Sequence, residues 1–379
     1  MSSISTNSRS FFNALIVTSF IRVLIACVLV LWEFASPTPP HPNDAHYVNM
    51  TPNLTLVGQL LVKWDSYWYL NIVDNGYEGQ AEGTGSSNLA FAPLYPACIY
   101  LLTRVGIEAW IGGVLISLAC YLAMLYYLHE FGASVHSPRL GRALMIFTAV
   151  FPSAWVFHMV YAESMFCLIL TAFLVHRAKG NYLRAGAFAL LLPLTRIVGI
   201  VVVPAVVVDL AIRARRTRAI PQGWTTLVGA VAGVAILGAV YTAVVGAPFP
   251  FLDAGAEWPS RAEVSGRLFP LLWSLAAHFG DRPEAALYGI FLVTYLAACV
   301  VLIRERRDAI GWFCAFYLFA LLQMPYICHM RFLLPCVPLH MVLVWRVIRS
   351  KPLFVVLCVL LGALQILLAR LSLTWHVVT

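Results

Sequence analysis

Apolar residues dominate this chain in long runs that short polar turns separate. A helix that crosses a membrane needs roughly 20 mainly apolar residues, and its backbone groups bond within the helix. The short alternating segments of a β-barrel are absent. The pattern therefore predicts an all-α polytopic membrane protein with about ten or eleven transmembrane helices in a single domain over residues 1–379. The runs lie at residues 11–32, 110–131, 140–151, 158–175, 183–194, 197–212, 224–245, 285–303, 310–326, 332–347 and 353–371.

Residues 90–103 form a shorter apolar segment that contains Pro93 and Pro96. Its length falls below the roughly 20 residues of a crossing. If both the N-terminus and residues 132–139 lie on the cytoplasmic side, residues 90–131 cross the membrane once and not twice. We therefore predict a half-span or re-entrant element here.

Charge in the loops predicts the orientation. Arginine clusters at residues 213–218, 304–307 and 346–351 mark the cytoplasmic side by the positive-inside rule. This places two large loops, residues 33–90 and 248–283, on the extracytoplasmic side. The first loop holds six acids against the single basic residue Lys63. The net charge of +8 is thus explained by topology and does not indicate nucleic-acid binding.

Composition narrows the function classes. The chain is 61% hydrophobic and 11% charged, whereas soluble domains carry about 25% charged residues. The nine cysteines include no CxxC pair, so we interpret them as packing residues. The sequence contains no P-loop, GxGxxG, HExxH or GxSxG motif, which disfavours nucleotide hydrolysis, dinucleotide redox chemistry, and zinc or serine hydrolase chemistry.

Four polar clusters fall on the predicted extracytoplasmic face. Charged residues at membrane depth cost a few kcal/mol each and usually line a cavity or a pathway. Arginine suits phosphate because its planar guanidinium donates two hydrogen bonds at once. The clusters therefore indicate a polar, anionic ligand handled beside lipid. They consist of Trp64 and Asp65 with Asp74; Tyr161 and Glu163; Arg196; and His329 with Arg331.

Each position also has a structural interpretation. Asp65 could be the N-cap of a helix over residues 66–73. Glu163 and Arg196 could form a buried ion pair, and Arg331 could be an interfacial anchor. The remaining candidates would then be packing histidines and an aromatic belt, formed by His158 and His329 and by Trp64, Tyr67, Trp68 and Tyr69.

Five motifs, taken in order, resemble the GPI mannosyltransferase II (PIG-V) family and its prokaryotic relatives in the GT-C glycosyltransferase superfamily. Together they extend over residues 63–335, and the ordered set is more specific than any single motif. Ser66, Phe151 and Ala162 depart from the family pattern. The motifs are WDSYWYLNIVDNGY (64–77), NLAFAPLYP (88–96), FPSAWVFHMVYAESMF (151–166), LTRIVGI (194–200) and HMRFLLP (329–335).

This resemblance implies a GT-C-type bundle and an inverting transferase. A sugar, with mannose as the expectation, would move from a polyprenyl- or dolichyl-phosphate donor to a lipid-linked or glycan acceptor. Asp65 would be the catalytic base, because the acceptor hydroxyl must lose a proton, and neither a cofactor nor a divalent metal is expected. The resemblance further implies substrate-binding residues: Arg331 and Arg196 for the phosphate, Glu163 for sugar or acceptor, Trp64 and Tyr161 for stacking, with Asp74 and His329 beside them.

Two other functions stay open at this point. A transporter or flippase of a polyprenyl-linked sugar would also need buried arginines and acids, although transporters often show inverted repeats and none is visible here. A non-catalytic membrane subunit of a glycosylation complex would not depend on Asp65. The arginine-rich composition favours a bacterial or archaeal plasma membrane with an outward-facing site, and an endoplasmic reticulum membrane with a lumenal site is the alternative.

Overall fold

The computed structural model of the chain describes residues 2–37, 54–78, 87–219, 221–254, 268–278, 283–305, 308–324 and 330–373. These residues fold into helices and include no β-strand, which confirms the predicted all-α class. The helices are α1 Ser2–Ala35, α2 Leu56–Leu61, α3 Asp65–Asn75, α4 Leu94–Thr103, α5 Ala109–Val135, α6 Pro138–Val150, α7 Glu163–Ala178, α8 Tyr182–Thr195, α9 Val202–Thr217, α10 Trp224–Val245, α11 Phe251–Ala254, α12 Pro270–His278, α13 Pro283–Glu305, α14 Ala309–Leu322, α15 Val337–Val347 and α16 Lys351–Leu373. Short 3-10 helices occur at Asn88–Ala90, Ala154–His158, Ile197–Val201 and Met330–Leu333.

Six helical segments of the described chain are long and apolar enough to cross a membrane. Large apolar side chains on these segments are exposed to the surroundings, among them Phe20 on α1 and Ile290 on α13. Lipid is the solvent that tolerates such surfaces, so the multi-pass character follows from length, composition and exposure together. The segments are Arg9–Ala35, Ala109–Val135, Ile197–Thr217, Trp224–Val245, Ala285–Glu305 and Lys351–Leu373.

The other predicted crossings form shorter helices. These helices, α6, α7, α8, α14 and α15, contain 13, 16, 14, 14 and 11 residues. At 1.5 Å per residue they reach roughly 16–24 Å, against a hydrocarbon core of about 30 Å. The total of ten or eleven crossings therefore stays a prediction, and the structure supports six.

Helix α4 occupies the segment that was predicted not to cross. Its ten residues span about 15 Å, which is half of a bilayer core. Pro93 is its N-cap, and Gly106, with a φ of 86°, turns the chain after the helix has ended. The length agrees with a half-span element.

Both predicted loops contain helices. The first loop, residues 33–90, begins while α1 is still helical, since α1 ends at Ala35, and it includes α2 and α3. Within the second loop, residues 248–283, the described part forms α11 and α12. The described part of the first loop, residues 33–37, 54–78 and 87–90, is therefore a largely helical support for the polar residues it carries.

Three neighbouring aromatic side chains of the first loop pack inside the protein and do not form a belt. Tyr67, Trp68 and Tyr69 are buried. The ring of Tyr69 meets the rings of Phe91 and Tyr95 edge-on, with centroids 5.1 and 5.0 Å apart. The belt interpretation of these residues is wrong because α3 lies against α4, which covers its aromatic face.

Candidate functional site

A tight turn delivers Asp65 to the site. Trp64 has a φ of 52°, a left-handed conformation that costs a non-glycine residue of order 1–3 kcal/mol and occurs where the surroundings enforce it. The Trp64 indole N–H donates to the carbonyl of Ser372, 3.1 Å away on α16. The last helix of the chain thereby holds this turn in place.

Asp65 is the first residue of α3 and not its N-cap. The N-cap position belongs to Trp64, whose side chain makes no capping hydrogen bond. The Asp65 carboxylate instead accepts a hydrogen bond from Arg331, with Oδ2 2.5 Å from Nη2. The N-cap alternative for Asp65 is therefore wrong, and its carboxylate belongs to an ion-pair network.

Arg331 is the centre of this network. It lies on the 3-10 helix Met330–Leu333, and its side chain is 5% exposed. Its guanidinium stacks over the rings of Tyr161 and Phe332, with Cζ 5.1 and 5.0 Å from their centroids. Nη1 lies 3.6 Å from Glu163 Oε1. A guanidinium held between two rings and two carboxylates is fixed in position and is not a surface anchor.

Glu163 connects the two arginines. It is the first residue of α7, its side chain is 1% exposed, and Oε1 forms an ion pair with Arg196 Nη1. The ion pair of Glu163 with Arg196, which was the structural alternative for these two residues, is present, and their substrate-binding role stays a prediction. The same carboxylate faces Arg331, so two acids and two arginines balance one another.

The local sequence explains the place of Arg196. Helix α8 ends after Pro193, which cannot donate a backbone hydrogen bond, and Arg196 is extended at the C-cap with a φ of −147°. Gly199 then turns back so closely that a Cβ atom there would lie 2.4 Å from the carbonyl oxygen of Leu192. Only glycine fits three residues after the arginine, so the R-x-x-G spacing aims the Arg196 side chain at Glu163.

Tyr161 and Trp64 support the network from the protein side. Tyr161 is fully buried, and its hydroxyl donates to the carbonyl of Lys63 at 3.2 Å. Its ring carries the Arg331 guanidinium. Stacking of these two rings on a sugar stays a prediction, while their observed contacts are structural.

One predicted site residue, Asp74, is not part of the network. Asp74 is exposed near the end of α3, nine residues and therefore about 14 Å from Asp65 along the helix axis. His329 lies outside the described residues. The structure thus brings together Asp65, Glu163 and the two arginines and separates Asp74 from them.

Another buried cation, Arg22, was not among the candidate residues predicted from the sequence. Arg22 lies within the first span, is 9% exposed, and donates from Nη2 to His158 Nδ1 at 2.6 Å and from Nη1 to the Ala149 carbonyl at 3.3 Å. No carboxylate of the described residues pairs with it. His158, which we interpreted as a packing residue, is thus a hydrogen-bond acceptor whose Nε2 carries the proton. The sequence feature that could have identified Arg22 is its position inside the apolar run 11–32, where a charged residue is costly.

The Arg22 centre adjoins the four-residue network. Tyr121 lies beneath the Arg22 guanidinium, with its ring centroid 6.0 Å from Cζ. One turn earlier on α5, Ser117 donates to the Tyr161 carbonyl at 3.1 Å. One helical turn is about 5.4 Å, so the Arg22 centre and the four-residue network lie at the same end of the bundle.

This end of the molecule therefore presents a balanced charge network in which Asp65 is the most exposed member, at 19%. In the described residues, no three His, Cys, Asp or Glu side chains are grouped to hold a metal ion, and a metal-free reaction stays a prediction. No protein-family model, no curated protein and no solved structure matches this chain.

Proposed function

We propose that the protein is an integral-membrane inverting glycosyltransferase. It moves a sugar, with mannose as the first candidate, from a polyprenyl-phosphate donor to a lipid-linked or glycan acceptor at the extracytoplasmic face. One observation carries the proposal: Asp65, which the motif series assigns as the base, is the accessible acid of a buried network with two arginines.

Asp65 has the environment that a general base needs. One carboxylate oxygen accepts from Arg331, which fixes the orientation of the group, and the carboxylate remains partly exposed. In the proposed step the carboxylate takes the proton of the acceptor hydroxyl while the hydroxyl oxygen bonds to the anomeric carbon. The bond from that carbon to the phosphate oxygen breaks, and polyprenyl phosphate leaves with the electron pair. Base catalysis of this kind contributes about 100- to 10,000-fold.

The arginines stabilise the leaving phosphate. Charge develops on that group as the bond breaks, and preorganised cations at such a position lower the barrier. Arg196 is the more exposed of the two, at 13% against 5% for Arg331, so we assign the phosphate contact first to Arg196. Glu163 is buried behind both arginines and acts as a positioning residue.

The test is sugar transfer from purified polyprenyl-phosphate-mannose by the wild type, Asp65→Asn and Asp74→Asn. Asp74 is the matched control, because it lies on the same helix α3 but outside the network. We expect Asp65→Asn to lose about 100- to 10,000-fold in rate and Asp74→Asn to stay within a few-fold of the wild type. Equal rates for all three folded proteins would remove Asp65 as the base.

The same preparation distinguishes the other functions. A flippase reconstituted in vesicles would move the donor lipid from one leaflet to the other. It would transfer the sugar to none of a panel of acceptors. A non-catalytic subunit would do neither, and Asp65→Asn would leave assembly with its partner intact. Either result would replace the transferase proposal.

A further inference from the structure

A cavity opens at the opposite end of the bundle from Asp65. It has a volume of about 530 Å³ and lies where α5 and α7 end and α8 begins. Helix α7 starts at Glu163 and ends at Ala178, so about 22 Å of helix separates the cavity from the charge network. The volume is in the range of small-ligand sites.

Basic side chains line one side of this cavity. Lys179 forms an ion pair with Glu130, with Nζ 2.6 Å from Oε2. Arg184 is exposed and forms no ion pair with any described residue. The cavity therefore offers one uncompensated guanidinium and a lysine whose carboxylate partner can be exchanged for another anion.

A stacked pair of rings forms another wall. The imidazole of His176 lies parallel to the ring of Phe188, with centroids 5.5 Å apart and an interplanar angle of 7°. Tyr127 meets both rings edge-on. Burial lowers the pKa of His176 below its ordinary value, and the charges of Arg184 and Lys179 lower it further. Both cations are therefore near enough to give this wall of the cavity a positive potential.

The opening of the cavity is amphipathic. Tyr126, which lines it, carries an aromatic ring and is 48% exposed. Cations next to exposed apolar side chains at the ends of membrane helices are the surroundings in which lipid head groups bind. A soluble anion would need the cations but would gain nothing from the apolar rim.

We infer that this cavity binds the phosphate head group of an anionic membrane lipid. Arg184 and Lys179 bond to the phosphate, and the lipid's glycerol and first chain carbons lie on the exposed Tyr126 side chain. The site is distinct from the proposed sugar-transfer site and does not depend on it. It rests only on the membrane insertion of the chain.

The experiment measures lipid binding by the full-length protein in non-ionic detergent. Phosphatidylglycerol is titrated into the micelles and unfolding temperature is followed by tryptophan fluorescence, with phosphatidylcholine, inorganic phosphate and glycerol 3-phosphate as comparison ligands. We expect stabilisation by phosphatidylglycerol alone. The variant Arg184→Gln should raise the half-saturating lipid concentration about fivefold, the effect of one basic residue beside a lipid surface.

Two further variants separate the site from general effects. Glu130→Gln releases Lys179 and should lower the half-saturating concentration, a change that a damaged protein would not show. Arg216→Gln removes an exposed charge that does not line the cavity and should bind as the wild type does. Equal weakening by Arg184→Gln and Arg216→Gln would overturn the inference. So would stabilisation by inorganic phosphate or glycerol 3-phosphate without any by the lipid.

Discussion

Replacing Glu163 by Gln tests whether the charge network is a unit. The change keeps the size of the side chain and removes one negative charge. Arg331 retains Asp65 as its partner, whereas Arg196 loses the only carboxylate with which the described residues pair it. The Arg196 guanidinium, which is 13% exposed, must then be accommodated without its acid.

The structure sets the magnitude. Glu163 is 1% exposed, so solvent cannot replace the lost interaction. Removing one partner of a buried ion pair costs about 3–5 kcal/mol. By contrast, Lys179 of the exposed pair with Glu130 is 42% exposed, and such pairs contribute about 0–1 kcal/mol. Glu130→Gln is therefore the matched control, with the same chemical change at an exposed site.

The assay is the free energy of unfolding from reversible denaturant titration in mixed micelles. We expect a loss of about 3–5 kcal/mol for Glu163→Gln and at most about 1 kcal/mol for Glu130→Gln. The double variant Glu163→Gln/Arg196→Gln should recover part of the loss, because it removes the unpaired cation as well. A loss below about 1 kcal/mol for Glu163→Gln would refute the reasoning, since water or another group would then satisfy Arg196.

Three further substitutions test the packing of α8 against α10, the buried Arg22 and the turn at Trp64. Gly229→Ala places a methyl group 2.0 Å from the carbonyl oxygen of Gly186. It should therefore separate α8 from α10 and lower the unfolding temperature. An unchanged unfolding temperature would mean that the two helices can move apart at little energetic cost. Arg22→Met removes a buried cation that has no carboxylate partner among the described residues. The free energy of unfolding should therefore stay the same or rise, while the rate of sugar transfer falls. A decrease in the free energy of unfolding of more than about 2 kcal/mol would show that Arg22 stabilises the fold instead. Trp64→Phe deletes the hydrogen bond to Ser372, which costs about 1 kcal/mol. The rate of sugar transfer should fall because Asp65 is then held less rigidly. An unchanged rate would show that the turn keeps its conformation without this hydrogen bond.

The extent of sequence-based prediction differs between elements. Helix α10 begins and ends at Trp224 and Val245, the boundaries of its apolar run, because length and composition alone specify a spanning helix. Helix α7 begins at Glu163, five residues later than its run, because the 3-10 helix Ala154–His158 comes first. An apolar run does not distinguish a 3-10 helix from an α-helix, so the start of α7 depended on tertiary packing.

The sequence by itself determined that the chain is an all-α multi-pass protein, and it identified Asp65, Glu163, Arg196 and Arg331 as polar exceptions in apolar surroundings. These features are local, since the cost of placing a charge or an unpaired peptide group in lipid is decided by each segment alone.

Only the tertiary structure decided which charges meet. Asp65 and Arg331 are 266 residues apart, and Arg22 and His158 are 136 apart. Their pairing depends on how α1, α3 and the 3-10 helices Ala154–His158 and Met330–Leu333 pack, and the free energy of that packing is distributed over many apolar contacts that no single motif encodes.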